Sequence, residues 1–401
     1  MKCFFKIASM LLLATVILSF VGCKHPTGGG NQSGNQNGGG TTPAAFNARE
    51  TPLTLEATQD GNITFTNKRA SLQYKKNGGE LTNVPGNLIF YNAGDKIELF
   101  ANEEDVSTDG SRFRIDCSSD CYIYGNIMSL LDPTNYKTKT EITANYAFAG
   151  LFVANSHIKN HGEKELVLPA TTLTEGCYLQ MFYSCNGLTR APALPATTLA
   201  KNCYNSMFYY CTSLTSAPAL PATTLAESCY HSMFNYCSGL TSAPALPATT
   251  LEKNCYYNMF SSCSGLTSAP VISATTLAES CCKQMFYRCS GLTSAPALPA
   301  TTLAESCYEY MFEECTSLQS SPVLSAPVLV KKCYYGMFYG CSHLNSITCL
   351  ATDTSAEDCT AIWAYSIASS GTFTKAASMT NWTNGINGIR NGWTVENYSA
   401  Q

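Results

Sequence analysis

Twenty-one cysteines stand in a chain of 401 residues, and seven pairs of them are spaced eight residues apart, from Cys177/Cys185 to Cys333/Cys341. Thiols at regular spacing could cross-link, ligate a metal or react as nucleophiles. On a helix, eight residues span about 12 Å, well beyond the Cα separation of about 4.4–6.8 Å that a disulfide needs. Helices packed side by side would set equivalent cysteines of neighbouring units about 8–10 Å apart, which also discourages a bridge. The spacing matches no zinc knuckle, and histidine does not recur with the pairs. The expectation is therefore buried free thiols that serve as small hydrophobes. Outside the pairs, Cys117 and Cys121 are near enough for a hairpin disulfide. His157 and His161 are spaced like zinc ligands, but they lie far from those two cysteines and in a different module, so no metal is expected. Serine, histidine and aspartate converge on no nucleophile motif, and no catalytic residue or cofactor is expected.

These cysteines are placed by a repeat of 26 residues. Full copies begin at Leu168, Leu194, Leu220, Leu246, Ile272, Leu298 and Leu324, and an eighth decays after Leu350, with Trp363 where the others carry Met. Within a copy, Leu199, Cys203, Met207, Phe208 and Cys211 recur near helical spacing and predict a helix over about Thr198–Cys211. Thr224 followed by Glu227 reads as a capping box, repeated at Thr172/Glu175, Thr276/Glu279 and Thr302/Glu305. The segment Leu214–Leu220 is too short for a helix and carries Pro218, so it reads as a brief strand whose ladder stops at the proline. Strand plus short helix, stacked so that neighbours complete each other's core, is the leucine-rich-repeat solution. An all-β solenoid with Ala-Thr-Thr-Leu as a second strand is the rival. One column alternates charge, Glu175, Lys201, Glu227, Lys253, Glu279, Glu305, Lys331, and predicts a solvent-facing ion-pair ladder. Cys282 replaces a tyrosine that the other full copies keep and is the one repeat cysteine expected to be reactive, with a harmless substitution as the alternative.

Composition sets the outer limits. Only 13% of residues are charged and the net charge is −4, which leaves no electrostatic footprint for nucleic acid or an anionic membrane surface. The N-terminus carries Lys2 and Lys6 before the apolar run Ile7–Val21, too short for a membrane span and suited to a secretory signal. Val21-Gly22-Cys23 resembles a bacterial lipoprotein signal, which implies acylation of Cys23, with an incidental cysteine after a cleaved signal as the alternative. Thr27–Thr42 is almost wholly Gly, Asn, Gln, Ser and Thr, a flexible tether. Segments such as Asn62–Thr66, Leu72–Tyr74, Leu88–Tyr91 and Lys96–Phe100 alternate β-formers between turn residues.

The block Met207-Phe208-x-x-Cys211-x-x-Leu214-Thr-x-Ala-Pro218 resembles the BspA-like class of leucine-rich-repeat surface proteins of anaerobic bacteria and spirochaetes. The resemblance implies a non-enzymatic surface protein that adheres to an extracellular protein or glycan, host matrix or other bacteria, from an outer-membrane lipid anchor. The expected architecture is an α/β leucine-rich-repeat solenoid, short strand plus short helix per repeat, behind a β-sandwich-like N-terminal module. Its parts are a signal peptide (1–22), acylated cysteine and tether (23–47), β-rich module (48–146), junction and N-terminal cap (147–167), seven repeats (168–349) and a decayed repeat with cap (350–401). Variation among copies concentrates on the helix, where Tyr183, Tyr209, Tyr210, Tyr236, Tyr257, Tyr287 and Tyr310 form the candidate partner surface, since tyrosine adds contact area with a polar tip. An inert spacer is the alternative. A glycan-cleaving enzyme would require paired carboxylates that the repeat unit lacks. If Cys23 carries the anchor, Cys23→Ser shifts the protein from the membrane fraction to the soluble one and abolishes incorporation of labelled palmitate; persistent labelling removes the anchor.

Overall fold

The computed structural model describes residues 46–106 and 111–399, so the expected signal segment, Cys23 and nearly all of the tether lie outside the described residues. The repeats form no α-helix. Among the described residues, helical geometry is confined to two 3-10 turns, Glu103–Asp105 and Ile127–Leu130. Where a helix was expected over Thr198–Cys211, the chain makes a ribbon of overlapping turns. Cys203, Asn205, Met207, Tyr209 and Cys211 each donate their N–H to the carbonyl three residues back, at 3.1–3.2 Å. The alternate donors leave the copy: Asn202, Tyr204, Ser206, Phe208 and Tyr210 bond to the carbonyls of Glu227, Cys229, His231, Met233 and Asn235 in the next one, at 2.8–3.1 Å. Asn202, Ser206 and Tyr210 have φ of 56°, 54° and 60°, as a type II turn requires at its third residue.

The physical reason lies in the doublets Cys203/Tyr204 and Met207/Phe208, which repeat every four residues. A helix advances about 400° in four residues, so such doublets would drift by about 40° at each step. The turn ribbon repeats every four and keeps them all inward; Cys203, Met207, Phe208 and Cys211 are 0% exposed. With no helix present, the threonine and glutamate pairs have no helix N-terminus to cap. Copies are therefore spaced like hydrogen-bonded strands, about 4.8 Å apart, not the 8–10 Å of packed helices. Side chains stack accordingly. Phe182, Phe208, Phe234, Phe260, Phe286 and Phe312 lie parallel with ring centroids 5.5–5.8 Å apart.

The stack begins before the sequence repeat does. Residues 146–155, expected to be module end and junction, form the same ribbon: Tyr146, Gly150 and Ala154 have positive φ, and Phe148 and Phe152 donate to the carbonyls of Cys177 and Met181. Phe148 stacks on Tyr178 and Phe152 on Phe182. At the other end, Trp363 covers both columns, packing on Tyr334 and Phe338. The forward donors of this last ribbon meet a cap: Ile362 N–H bonds to Asn387 Oδ1, Ala364 N–H to the Ile386 carbonyl, and Trp363 Nε1 to the Gly388 carbonyl.

The N-terminal module contains β1 (Thr54–Ala57), β2 (Gly61–Thr66), β3 (Gln73–Lys76), β4 (Thr82–Asn83), β5 (Leu88–Tyr91), β6 (Lys96–Phe100), β7 (Arg114–Cys117) and β8 (Cys121–Asn126). β9 (Ile158–Asn160) and β10 (Leu166–Val167) follow the first ribbon and run parallel to β8. One sheet has the order β10-β8-β1-β6-β3-β4 with β9 also on β8, and a second has the order β5-β2-β7. Both contribute to one core, Leu55, Ile97, Leu99 and Ile123 from the first, Ile63, Phe65, Ile89 and Ile115 from the second. The buried Arg69 joins module to stack: its guanidinium donates to the carbonyls of Leu130 and Ala147 and lies over Phe113 and Phe148.

The strand expected at Leu214–Leu220 is extended but makes only isolated parallel bridges, such as Arg190–Ser216 and Leu246–Ile272. Ala-Thr-Thr-Leu, the rival second strand, likewise gives single bridges, Thr172–Thr198 and Thr250–Thr276. Among the described residues of the stack, parallel strands join into a sheet near the C-terminus, from β11 (Ser320–Leu324), β12 (Ser346–Cys349), β13 (Thr372–Lys375) and β14 (Thr394–Asn397), with a register shift between β11 and β12. Most copies carry two prolines in this stretch, as at Pro218 and Pro221, and each removes a ladder donor. Ser346–Cys349 has none, and its ladder with β13 is unbroken.

Phe234, fully buried and stacked 5.7 Å from both Phe208 and Phe260, tests the stack. Phe234→Ala should cost on the order of 3–5 kcal/mol in chemical denaturation and spread its damage to neighbouring copies. A loss under about 1 kcal/mol would show that the ring column does not hold the copies together.

Candidate functional site

The second thiol of each copy is a buried hydrogen-bond donor. The second cysteine of each copy donates Sγ–H to a phenylalanine carbonyl of the preceding layer: Cys185 to Phe152, Cys211 to Phe182, Cys237 to Phe208, and onward to Cys341 and Phe312, all at 2.9–3.1 Å. That carbonyl already accepts one N–H, so the thiol fills its other lone pair. Burial pushes the Cys211 and Cys289 thiols up to about 12, which leaves them protonated and unreactive at neutral pH. Cys282 points into the stack, fully buried, and its hydrogen bond with Cys281 and its burial hold it well above the ordinary thiol range. Cys117 and Cys121, expected to form a hairpin disulfide, are free and buried, with Cys121 also near Tyr91. His157 bonds to Asp120 at 3.0 Å, while His161 packs on Tyr122 and Tyr124 and accepts the N–H groups of Glu163 and Lys164. Among the described residues, no three His, Cys, Asp or Glu side chains gather as a metal site.

The outward side of the ribbons is where copies differ. Tyr183 and Tyr209 stack face to face at 4.7 Å, Tyr209 touches Tyr236 at 5.7 Å, and Tyr236 touches Tyr210 at 5.7 Å. Tyr210 and Tyr236 are 45% and 39% exposed. The structure thus joins four of the seven candidate tyrosines into one ridge. The other three lie along the same side but apart: Tyr257 meets His231 and Lys283, Tyr287 lies under the Arg288 guanidinium, and Tyr310 meets Tyr335. Tyr339 and Tyr365, stacked at 4.9 Å, form a separate aromatic pair farther along the same side, beyond the residues singled out from sequence. They occupy the column of Tyr183 and Tyr209, so alignment of the copies could have found them. In the copy before Tyr339, burial and then the neighbouring Glu314 raise the Glu313 carboxyl to about 7. Alongside runs the expected charge ladder, with Lys201–Glu227 at 3.0 Å, Lys253–Glu279 at 2.8 Å and Lys331 within 3.5 Å of Glu305 and Glu357.

The family model for the BspA type leucine rich repeat region matches residues 163–267 and 253–375 in six copies, together just over half the chain. The chain belongs to the BspA-type leucine-rich-repeat family. Comparison with curated proteins and with solved structures finds no match. The BspA-type match starts at residue 163, after the first turn ribbon, whose Ala147, Phe148, Leu151, Phe152 and Asn155 stand where the later copies have Cys, Tyr, Met, Phe and Cys.

Where these BspA-type repeats meet the N-terminal module, a cavity of about 670 Å³ opens, lined by extended segments of three successive layers. Its walls are largely proline, alanine and branched aliphatic residues, with Arg49, Lys164 and Arg190 among them.

Free thiols predict that native protein reacts with few equivalents of a thiol reagent near pH 8, and that denatured, unreduced protein releases all fourteen paired cysteines of the seven copies. Recovery of those cysteines as disulfides would replace the S–H···O=C ladder with a covalent one.

Proposed function

We propose that this protein is a non-enzymatic, lipid-anchored surface protein of the bacterial outer membrane that displays a repeat solenoid for binding an extracellular protein or glycan. The BspA-type repeats support a surface-associated, protein-binding role. The described residues include no helix long and apolar enough to cross a membrane, and the anchor rests on Cys23. The observation that carries the reading is the tyrosine ridge of Tyr183, Tyr209, Tyr210 and Tyr236, which presents aromatic edges and hydroxyls on a backbone fixed on both sides by hydrogen-bonded neighbours. A pre-ordered ridge loses little entropy on binding. Of the neighbouring carboxylates Glu309, Glu313 and Glu314, two are held in ion pairs, Glu309 with Lys283 at 3.0 Å and Glu314 with Arg288 at 2.8 Å, which suits a structural ladder.

The test is a solid-phase binding screen against matrix proteins, host-cell glycans and neighbouring bacteria. Any ligand found should bind the triple variant Tyr209→Ser, Tyr210→Ser, Tyr236→Ser at least about tenfold more weakly, with little change in Tm. Undiminished binding there, with loss on replacing Thr215, Thr241 and Thr267, moves the site to the opposite, extended face. A chain that binds none of these ligands serves as a spacer.

A further inference from the structure

The cavity at the seam of module and stack lies away from the tyrosine ridge, and it departs from the repeat in one telling residue. Where the first full copy has Arg190, the later copies have Ser216, Ser242, Ser268, Ser294, Ser320 and Ser346. The module holds this arginine in place. Asn160 Oδ1 accepts the N–H groups of Thr189 and Arg190 at 2.8 and 2.9 Å, and Asn160 Nδ2 donates to the Arg190 carbonyl at 3.0 Å. The guanidinium itself is steadied by one bond from Nη2 to the His161 carbonyl at 2.9 Å. Arg49, also in the lining, is held in the same manner, by Nε to the Lys137 carbonyl at 3.0 Å. Both guanidinium groups are thus oriented by neutral carbonyls, and neither has a carboxylate partner among the described residues. Lys164, by contrast, is already taken by Glu56 at 2.6 Å.

We infer that this cavity binds an extended peptide segment of a partner protein, with aliphatic side chains in the groove and an acidic side chain on Arg190 and Arg49. A guanidinium fork matches a carboxylate in two parallel hydrogen bonds, and here two forks border one apolar trough. The wall chemistry selects peptide over sugar. No phenylalanine, tyrosine or tryptophan lines the cavity, so a pyranose ring would find no stacking face, while Val167, Ala193 and Pro195 offer aliphatic contact. Prolines also fix the trough before binding, because their φ is locked. Along the wall, burial alternates residue by residue, with Pro192 and Leu194 inward and Ala193 and Pro195 outward. An extended peptide has the matching period of two. Glu165, an exposed residue also in the lining, disfavours a second acidic side chain beside it.

The probe is a fluorescein-labelled decapeptide of alternating valine and serine with one central serine replaced by aspartate, followed by anisotropy against the full chain, with matched peptides carrying asparagine or lysine in place of that aspartate. Saturable binding of the aspartate peptide alone is expected, weakened by salt. Arg190→Ser installs the residue that the later copies use at this position, so the fold tolerates it; with Tm unchanged, it should weaken binding about tenfold or more. Arg49→Gln should act in the same direction and guards against a local effect of the first change. The tyrosine triple variant should bind this peptide normally, which separates this site from the ridge. Equal binding of the aspartate and asparagine peptides, unchanged affinity in Arg190→Ser, or binding of heparin fragments in place of the peptide overturns the inference.

Discussion

Alternate backbone N–H groups in each turn ribbon are donated to the next copy. Internal turn bonds use the remaining donors, so no copy can satisfy its own main chain. The geometry that makes this division possible places a left-handed residue at every fourth position, including Tyr210, Tyr236, Arg288 and Glu314, where φ is 56–61°. Non-glycine residues there carry a strain of roughly 1–3 kcal/mol each, tolerated only when the surroundings leave no alternative. The forward bonds to the adjacent layer supply that restraint, and they exist only when layers are stacked. A lone copy would keep the strain and lose the bonds.

The side chains follow from that backbone. Because layers sit at strand spacing, each inward position meets its own equivalent above and below, and large residues must stack as the phenylalanines do. The cysteine column adds a small side chain with a polar hydrogen at the point where a buried carbonyl has one lone pair free. Alanine would leave that lone pair empty, and valine would add bulk without a donor. The sulfur in this column is shielded and its proton is in use.

Much of this was legible from sequence, though not its most consequential part. The period, the inward Met-Phe-Cys residues, the charge ladder and strands such as Lys96–Phe100 were all visible as patterns of residue type. The turn ribbon was hidden because its apolar pattern covers three near-helical steps before the difference between 3.6 and 4 becomes decisive. Left-handed positions held by Tyr, Arg or Glu carry no compositional mark. The first layer was hidden for another reason, since Phe148 and Phe152 keep the spacing while Ala147 and Asn155 replace the cysteines. The seam cavity depends on contacts between distant segments, such as Asn160 with Arg190, which no local pattern reports. Four ridge tyrosines were readable as variable aromatic positions, whereas their contact with one another required the layer spacing.

The forward hydrogen bonds all run in one direction, from each copy to the one after it, which gives the stack two chemically different ends. The module-side end shows carbonyls, and the far end shows N–H groups that only a segment like Ile386–Gly388 can meet. The ribbon bonds at the junctions between full copies follow one pattern. Whole units of 26 residues can therefore be duplicated or lost within the array without disturbing either terminus. Each such event changes the distance between the two ends by about 4.8 Å. Gene length becomes a ruler for this protein, and how far its distal cap stands from the N-terminal module can be tuned without altering any contact that either end makes.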